Sequence, residues 1–415
     1  MKNSARTRVG PKLGAFVAAS ALVLTGCGSA TSGNGDKDAD IAIGALVPLT
    51  GGGAEFGPRM ERAIRIAVDE VNSAGGVNGN DLKLYVEDGQ TEPDAAVRGA
   101  QKLINVNRVH ALVGTWSSAV TLAVAPLAIQ ANVVQMNTSG ANAITDLKDN
   151  NLVWRFQPPA RLTGSAVANA AIRNNWKTAV AMARNDPSGT STVESFKKDY
   201  EKLGGKVIKT ITYAPNQSSY STEVRDALAG GADFVFNSTY APELAVMVKE
   251  AAASSSDVPW LAPGWAVNKA FIGAVGGSTA DGTYAVDSAP NVEGQAYQTF
   301  QKNYQAKYDS DLDPSDTYVF SSYDMIVVLA LAMTDCSCQS GPKLTDSIAK
   351  VTSPSGTEVT SFADGIKALK AGQDIDYQGA SSNLDFDTNG DQVPSFGTYV
   401  VDSGKVTLKD SYQLK

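Results

Sequence analysis

The fold is decided by a stretch that opens with Ile41-Ala-Ile-Gly-Ala-Leu-Val47 and closes with Leu82-Lys-Leu-Tyr-Val86. Both runs are short and largely apolar, which is typical of strands buried in a parallel sheet. Between them, apolar residues recur at steps of three and one from Met60 to Val71, so they share one stripe of a helix. Gly75-Gly76 is suited to end that helix, because glycine accepts the left-handed conformation of a C-terminal cap. The unit predicts a right-handed crossover in a doubly wound α/β sheet, with the loop after its first strand at the ligand-binding edge.

The same alternation of apolar runs and helical periodicity continues along the chain. A first series runs to a break at 153–159, and a second begins with a predicted strand at 178–183. The other predicted strands lie at 109–114, 133–136, 207–213, 232–236 and 260–262. A return crossing is predicted at 283–286, and long helices are predicted at 294–308 and 318–334. Because roughly 375 residues exceed what one hydrophobic core supports, we expect two domains. No segment after the N-terminal signal is predicted to span a membrane, since the apolar run 325–333 is too short.

Residues 1–27 have the pattern of a lipoprotein signal peptide. Four basic side chains, Lys2, Arg6, Arg8 and Lys12, precede the apolar run 13–24. Leu24-Thr-Gly-Cys27 resembles a bacterial lipobox, whose cysteine carries the lipid. The alternative is an ordinary secretory signal with a chance cysteine. Residues 28–40 are small and polar and are predicted to form a tether. Loss of the four basic side chains with residues 1–27 takes the formal net charge from −8 to −12, which argues against a nucleic-acid partner.

Metal sites find little support in the sequence. Cys336 and Cys338 are separated by one residue, and this spacing leaves a local disulfide and two free thiols equally open. Residues 385–390 match the first half of a calcium-binding loop, but Phe396 stands where a bidentate glutamate is required. A β-turn explains the same residues equally well. We therefore expect no metal.

Nucleotide binding and hydrolysis are also weakly supported. Gly51-Gly-Gly53 follows a strand, but neither nucleotide-loop motif is present around it. His110 is the only histidine and lies in an apolar run. A histidine in such a run is more often a hydrogen-bonded core residue than a general base. No G-x-S-x-G motif accompanies it. A mobile ligand-binding loop is the better interpretation of the three glycines.

Five motifs occur in an order that one known family shares: Ile43-Gly44, Pro48-Leu-Thr-Gly51, Ala67-Val-Asp-Glu-Val-Asn72, Gly75-Gly-Val-Asn-Gly79 and Asp88. They resemble the opening of the leucine/isoleucine/valine-binding protein family, the extracytoplasmic solute receptors of ABC importers. The chain departs from the family at Arg62-Ala63, where a Gly-Ala pair is usual. The resemblance implies the type I periplasmic binding protein fold, in which two doubly wound parallel-sheet lobes are joined by three hinge crossings.

The resemblance also implies how the chain is divided and what it contacts. Lobe 1 is expected at 41–157 and 288–355, and lobe 2 at 158–287 and 356–415, with 382–391 and 397–401 forming a closing hairpin. The implied partners are a small-molecule ligand, the ABC permease and ATPase subunits, and the membrane through the lipid anchor only. A monomer outside the cytoplasm, with no cofactor and no enzymatic activity, is expected.

Ser117 and Ser118 are the best binding-site candidates. They follow a predicted buried strand and open a helix, so that hydroxyls and free backbone N–H groups meet in a place suited to an anion. Helix capping is the alternative. The resemblance places the ligand-carboxylate serine at Ser118 and a second carboxylate loop at 138–141, with Ala141 where the family has a threonine. The predicted ligand-binding residues combine these two loops with aromatic positions near the pocket. They are Phe56, Trp116, Ser117, Ser118, Ser139, Gly140, Ala141, Tyr240, Trp265 and Tyr318.

The loop Leu261-Ala-Pro-Gly-Trp265 departs most from the family, because branched-chain amino acid binders carry there a glutamate for the ligand ammonium. The family's second-lobe tyrosine is also missing, and Asp186-Pro-Ser-Gly189 stands in its place. Either another acid, such as Glu55, Asp186 or Asp287, takes over the ammonium, or the ligand has none. Tryptophans near the pocket favour an uncharged apolar body. The predicted ligand is therefore a small carboxylate or amide, aromatic ones included, ahead of leucine, isoleucine or valine.

The sequence thus predicts the receptor of an importer. A ligand-sensing lipoprotein of the same fold is the alternative, and an exported hydrolase is a weaker one.

Replacement of the lipobox cysteine tests the anchor. Cys27→Ser removes the thiol that would carry the lipid, so we expect either a released protein or an uncleaved precursor. Membrane fractionation and mass spectrometry of the N-terminus measure this. A mature Cys27→Ser protein that stays on the membrane with a normal N-terminus would contradict the expectation.

Overall fold

A five-stranded parallel sheet forms the first half of the frame in the computed structural model, which describes residues 40–414. Its strands are Ile41–Val47 (β1), Leu82–Asp88 (β2), Ala111–Thr115 (β3), Val134–Asn137 (β4) and Val153–Arg155 (β5). They lie in the order β2-β1-β3-β4-β5, and every neighbouring pair is parallel. β1 pairs on both sides and is almost wholly buried. This burial explains its continuous apolar sequence.

A seven-stranded sheet forms the second half. The strands that follow β5 are Thr178–Arg184 (β6), Lys206–Tyr213 (β7), Phe234–Ser238 (β8), Trp260–Pro263 (β9), Tyr284–Ser288 (β10), Thr357–Val359 (β11), Ile375–Tyr377 (β12), Phe396–Asp402 (β13) and Lys405–Tyr412 (β14). The second sheet has the order β14-β13-β10-β9-β8-β6-β7, while β11 and β12 pair separately. Its β6 to β10 pairs are parallel, and β13 and β14 add to it antiparallel.

Helices cover both sheets. They are Gly57–Ser73 (α1), Pro93–Asn105 (α2), Ser118–Gln130 (α3), Asn142–Thr145 (α4), Ala160–Arg173 (α5), Pro187–Lys202 (α6), Ser221–Leu228 (α7), Ala241–Ala253 (α8), Lys269–Val275 (α9), Gly277–Ala280 (α10), Gln295–Tyr308 (α11), Thr317–Cys336 (α12), Pro342–Val351 (α13) and Phe362–Lys370 (α14). α1, α2, α6, α8 and α13 carry proline in the first turn. Proline suits that position because its missing N–H would have no intrahelical partner there.

α12 is the central helix of the first core. Its residues from Thr317 to Met333 are buried, and it packs against α1, α13 and α14. With 20 residues and a mean hydropathy of 1.5, it is long and apolar enough to cross a membrane, which corrects the expectation that no such segment exists. Because 83% of its apolar segment is buried inside the protein, α12 is a core helix here. At its end, Cys336 and Cys338 are joined by a disulfide, so the free-thiol alternative is not observed.

The segment from β11 to β12 was predicted in lobe 2 as part of 356–415, and this part of the prediction is wrong. Val359, Phe362, Ile375 and Tyr377 belong to the core cluster of the first sheet. Two kinds of contact hold the segment there. Its apolar side chains pack into the first core, and the fully buried Asp324 of α12 accepts a hydrogen bond from the chain just beyond β12.

The closing hairpin also differs from the prediction. β13 pairs with β14 across a turn at Ser403-Gly404, both of which have positive φ. Residues 382–391 do not pair with β13; Phe386 and Gln392 instead form an isolated antiparallel bridge. The turn at 387–391 is thus a separate feature. β14 is not among the strands predicted from the sequence.

The chain passes between the two sheets after β5, after β10 and before β13. The predicted fold class, two doubly wound parallel-sheet lobes joined by three crossings, is confirmed. The predicted signal, the lipobox at Cys27 and nearly all of the tether lie outside the described residues.

The carboxylate of Asp324 offers a test of how the β11–β12 segment is held. Its oxygens accept hydrogen bonds from Tyr377 Oη at 2.9 Å, the Ala380 N–H at 2.8 Å, and the N–H and hydroxyl of Ser381 at 2.7 and 2.6 Å. Burial raises the pKa of this carboxyl to about 6. Asp324→Ala leaves these donors unpaired, so we expect the free energy of unfolding to fall by at least about 3 kcal/mol in urea titrations.

Asp324→Asn is the matched control, because its carbonyl oxygen still accepts. We expect it to lose clearly less stability than Asp324→Ala. Equal stability of the alanine variant and the unmodified protein would contradict the proposed anchoring role.

Candidate functional site

Gly114 lies near the end of β3, just before the loop that carries Trp116. Its φ is +88°, and a Cβ there would lie 2.7 Å from Val47 Cγ1, so only glycine fits. The register between β3 and β4 shifts between Val113 and Thr115, as in a β-bulge. The next residue, Trp116, then reaches across the carboxyl edge of the sheet, where its ring lies 5.0 Å from that of Tyr240.

Ser118 begins α3 and joins the two loops at this edge. It is buried, and its Oγ accepts the Ala141 N–H at 3.0 Å. Ser117 is the N-cap residue of α3 but makes no side-chain cap bond, so capping does not account for these hydroxyls. The first-turn N–H groups of α3 have no intrahelical acceptors and can hold an anion.

The loop after β4 presents Thr138 and Gly140 rather than Ser139. The Ser139 hydroxyl turns inward, lying 2.7 Å from Thr121 Oγ1 and donating to the Trp116 carbonyl at 2.9 Å. Thr138 is buried, and its hydroxyl has no hydrogen-bond partner among residues 40–414. An unpartnered buried hydroxyl costs free energy unless a ligand or water satisfies it.

Arg155 lies under this loop and fixes its position. The guanidinium is buried and donates to the Gly140 carbonyl at 3.3 Å and the Ala141 carbonyl at 3.1 Å. It also donates to Thr145 Oγ1 at 2.9 Å and forms an ion pair with Asp391 at 2.9 Å. Burial lowers the pKa of Arg155 to about 10, and Asp391 opposes this shift, so the group stays charged at neutral pH. Both loop carbonyls are therefore occupied by hydrogen bonds from Arg155.

Asp387 and Asp391, in the segment that resembles a calcium-binding loop, pair with arginines. Asp391 and Asp387 both contact Arg161 of α5, at 3.2 and 2.8 Å, while Asp387 also accepts the Asp391 N–H. Among the described residues no cluster of histidine, cysteine, aspartate or glutamate fits a metal ion. The turn interpretation is the one that the structure supports, and this turn ties the third crossing to both lobes.

Five aromatic side chains form a continuous wall across the edge. Phe56 lies 5.4 Å from Trp116 and 5.2 Å from Tyr318 between ring centroids, with the second pair edge to face. Trp116 and Trp265 lie 5.8 and 6.4 Å from Tyr318. The Trp265 indole N–H donates to the Thr239 carbonyl at 3.0 Å, which fixes that ring. Such contacts are favourable arrangements for aromatic rings.

A small cavity lies where these elements meet. Its free volume is about 20 Å³, room for about one water molecule. Six predicted residues line it: Trp116, Ser118, Gly140, Tyr240, Trp265 and Tyr318. Four do not: Phe56 packs behind the rings, Ser117 and Ser139 face elsewhere, and Ala141 contributes only its bonded N–H. Four further residues line the cavity: Thr138, which lies in the predicted carboxylate loop but is not among the predicted binding residues, and Gln157, Pro158 and Ser188.

The second-lobe wall is polar at its base. Arg184 lies 4.3 Å over the Tyr240 ring, donates to Glu243 at 3.0 Å and pairs with Asp186. Ser188 stands where the family's tyrosine is missing, and it lies so near the first lobe that a Cβ on Gly140 would be 3.0 Å from its Oγ. The two lobes are therefore in contact across the cavity.

The acids that could meet a ligand amine are placed very differently. Asp186 caps α6 by accepting the Gly189 N–H at 2.7 Å, in addition to its pair with Arg184. Glu55 lies near Arg59 and Asn268, and burial raises its pKa. Neither lines the cavity. Asp287 is buried against Gly264, the residue before Trp265, and it does not line the cavity either.

Comparison with known proteins agrees with this architecture. A profile of the family described as "Periplasmic binding protein" matches residues 40–401. Leu/Ile/Val-binding protein homolog 7 of Brucella suis is 27% identical over 240 residues, which cover 55% of this chain and 60% of that protein. The chain thus spans about 60% of the length of this relative.

Two solved structures share the fold. A leucine-binding protein from Thermotoga maritima aligns with a TM-score of 0.78 at 22% identity, covering 90% of this chain and 99% of the other. A solute-binding protein of an ABC transporter from R. palustris, in complex with benzoate, aligns with a TM-score of 0.73 at 20% identity, covering 90% and 96%. The resemblance drawn from the N-terminal motifs is confirmed.

Arg155 provides a test of the support beneath the loop. Arg155→Gln leaves Asp391 buried without its closest cation, and breaking a buried pair costs about 3–5 kcal/mol. We expect the midpoint of urea unfolding to fall accordingly.

Arg161→Gln is the matched control, because Arg161 contacts the same Asp391 but is 39% exposed. Exposed pairs contribute about 1 kcal/mol or less. Equal losses of stability in the two variants would contradict the prediction that burial makes the Arg155–Asp391 pair the more important one.

Proposed function

The chain belongs to the periplasmic binding protein family, and on that premise we propose that it captures a small carboxylate between its two lobes and delivers it to an ABC importer. It performs no bond chemistry in this proposal. The permease and ATPase would be its partners, and a lipid on Cys27 would hold it outside the cytoplasmic membrane, as a monomer.

One observation carries the proposal: the cavity between the sheets has a polar side and an aromatic side. Ser118, Thr138 and the start of α3 supply hydroxyls and N–H groups on the first lobe. Trp116, Tyr240 and other rings supply apolar surface. A carboxylate suits the first side and an apolar body suits the second. The Thr138 hydroxyl, buried without a partner among the described residues, would find one in such a ligand.

The small volume of the cavity supports capture by opening and closing. About 20 Å³ is far below the roughly 300 Å³ at the lower end of ligand pockets. A ligand would therefore enter only when the lobes move apart, and the three crossings are the hinges for that motion. The contact between Gly140 and Ser188 across the cavity would then break.

Two known structures of this fold are named for ligands that differ in whether they carry an amine. The T. maritima protein is named for leucine, whereas the R. palustris protein holds benzoate. A carboxylate is common to both, and it is the group for which the first lobe here is suited.

Native mass spectrometry for co-purified ligand, followed by a thermal-shift panel, tests the proposal. The panel should contain amino acids, aromatic acids, short fatty acids and amides. We expect stabilisation by at least one class of carboxylate. No shift with any carboxylate would overturn the proposal, and measurable turnover of one would favour an enzyme.

Ser118→Ala tests the carboxylate side with the ligand found by the panel. The change removes a hydrogen bond to a charged group, worth about 1.5–3 kcal/mol. We expect a ten- to hundredfold loss of affinity by calorimetry, at about 1.4 kcal/mol per tenfold.

The exposed Ser221 of α7 supplies the control. Ser221→Ala should bind as the unmodified protein does. Unchanged affinity in a folded Ser118→Ala variant would mean that this hydroxyl only links the two loops.

A further inference from the structure

A second cavity lies beside two of the crossings, next to the two-stranded ribbon formed by β11 and β12. Its free volume is about 420 Å³, within the range of roughly 300–1,000 Å³ that is typical of small-molecule sites. Its walls come from the crossing after β10, the start of α11, the ribbon and the crossing before β13. The amides of Asn291, Gln295, Gln378 and Asn383 line it together with the carboxylate of Glu358, and no described lysine, arginine or histidine does so.

Asp376 lies on the face of the ribbon that borders this cavity. It pairs in register with Glu358 of β11, and paired residues of neighbouring strands project to the same face. Gln378, which lines the cavity, donates to Asp376 Oδ2 at 2.7 Å. Asp376 is only 4% exposed, and its Oδ1 is buried with no hydrogen-bond partner among residues 40–414. Such an oxygen is rare in folded proteins, because it loses its hydration without compensation.

A second carboxylate, that of Asp385, acts on the same place. Asn383 donates to Asp385 Oδ2, while Asp385 Oδ1 is buried and has no partner in the described part of the chain. Burial, together with the charges of Asp385 and Glu358, raises the pKa of Asp376 to about 6, against the hydrogen bond from Gln378. Asp376 is therefore largely ionised at neutral pH, although other negative charges lie close to it.

The protein supplies no cation to balance these acids. Asp376, Asp385 and Glu358 form no ion pair with any lysine or arginine that the structure describes. Lys350 reaches the residue before β12, but there it pairs with Asp374 at 3.2 Å. Buried negative charge without a counter-charge is unfavourable, so a cation in the cavity would be stabilised.

The cavity suits an organic cation rather than a metal ion. A metal ion such as calcium binds several oxygens at about 2.3–2.6 Å. In residues 40–414, no group of three or more histidine, cysteine, aspartate or glutamate side chains is arranged to hold one. An ammonium or guanidinium group carries several N–H donors, which can reach carboxylate and amide oxygens together.

The helix beside the cavity determines where the charge of the ligand would lie. α11 begins at this wall and has no acidic residue in its first turn. The N-terminal end of a helix dipole disfavours a nearby cation. The cationic group is therefore expected on the ribbon side, against Asp376 and Asp385.

We propose that this cavity binds a small organic cation, a diamine or a guanidine, whose charged group contacts Asp376 and Asp385. The exposed carboxylate of Glu358 is available to a second ammonium group of the same molecule. The site shares no lining residue with the cavity beside Trp116. It is therefore a second binding site, and it does not depend on the capture of a carboxylate.

Calorimetry with cations that carry no carboxylate group tests this site. The probes are putrescine and agmatine, and 1,4-butanediol is the neutral analogue of putrescine. We expect both cations to bind with one molecule per chain and the diol not to bind. Added sodium chloride should weaken the binding, because salt screens the attraction between charges.

Asp376→Asn and Asp385→Asn each remove one charge with little change of shape. We expect each to weaken putrescine binding by about tenfold or more, through loss of a charge-assisted hydrogen bond. Glu293→Gln is the matched control, because Glu293 is an exposed acid of the crossing after β10 that does not line the cavity. It removes the same formal charge and should bind putrescine as the unmodified protein does.

Glu358→Gln keeps the test valid even if a variant of a buried acid fails to fold. Glu358 is exposed, so its replacement leaves the core unchanged. We expect a smaller loss of putrescine affinity, about two- to fivefold, as for an exposed ion pair. Ser118→Ala should bind putrescine normally, so failure of carboxylate capture and failure of this site are distinguishable.

Three outcomes would overturn the inference. The first is that neither cation binds, or that the diol binds equally well. The second is putrescine binding that is unchanged in folded Asp376→Asn and Asp385→Asn variants. The third is tighter binding of calcium chloride than of putrescine, lost in the same variants, which would make this a metal site.

Discussion

The buried ion pair between Arg155 and Asp391 is the contact on which the arrangement of the site depends. The guanidinium of Arg155, at the end of β5, contacts the carbonyls of Gly140 and Ala141, Thr145 of α4 and Asp391 of the third crossing, so it links these segments. A buried pair gains little net free energy, because the desolvation of both charges offsets their attraction. Its main consequence is geometric. It holds the two loop carbonyls against the guanidinium, while Ser118 and Thr138 line the cavity.

The regular parts of the fold could be predicted from the sequence because burial on two faces produces continuous apolar runs. β1, α1 and β2 were placed to within a few residues on that basis. The β11–β12 segment could not be placed, because its position depends on Asp324, a buried acid of α12 whose hydrogen-bond partners are more than fifty residues away in the sequence. Periodicity carries no information about such a partner.

The candidate site shows the same division. The serines and aromatic rings that follow strands could be named, since the carboxyl edge of a parallel sheet is where loops converge. The inward turn of the Ser139 hydroxyl and the outward position of Thr138 could not, because a loop has no fixed alternation of side chains. Ser188 and Gln157 come from the second lobe and the first crossing, and only the assembled lobes bring them to the cavity.

The twenty-residue helix at the centre of the first core has a consequence for biogenesis. A chain exported in an extended form passes through a translocation channel before that helix is covered by its neighbours. An uninterrupted apolar segment of this length would partition sideways into the lipid and stop there. Asp324 stands within it, and an aspartate near the middle of such a segment disfavours insertion by about 3 kcal/mol. In a chain exported in that extended form, the same carboxylate that accepts hydrogen bonds from the β12 region would also favour complete passage across the bilayer.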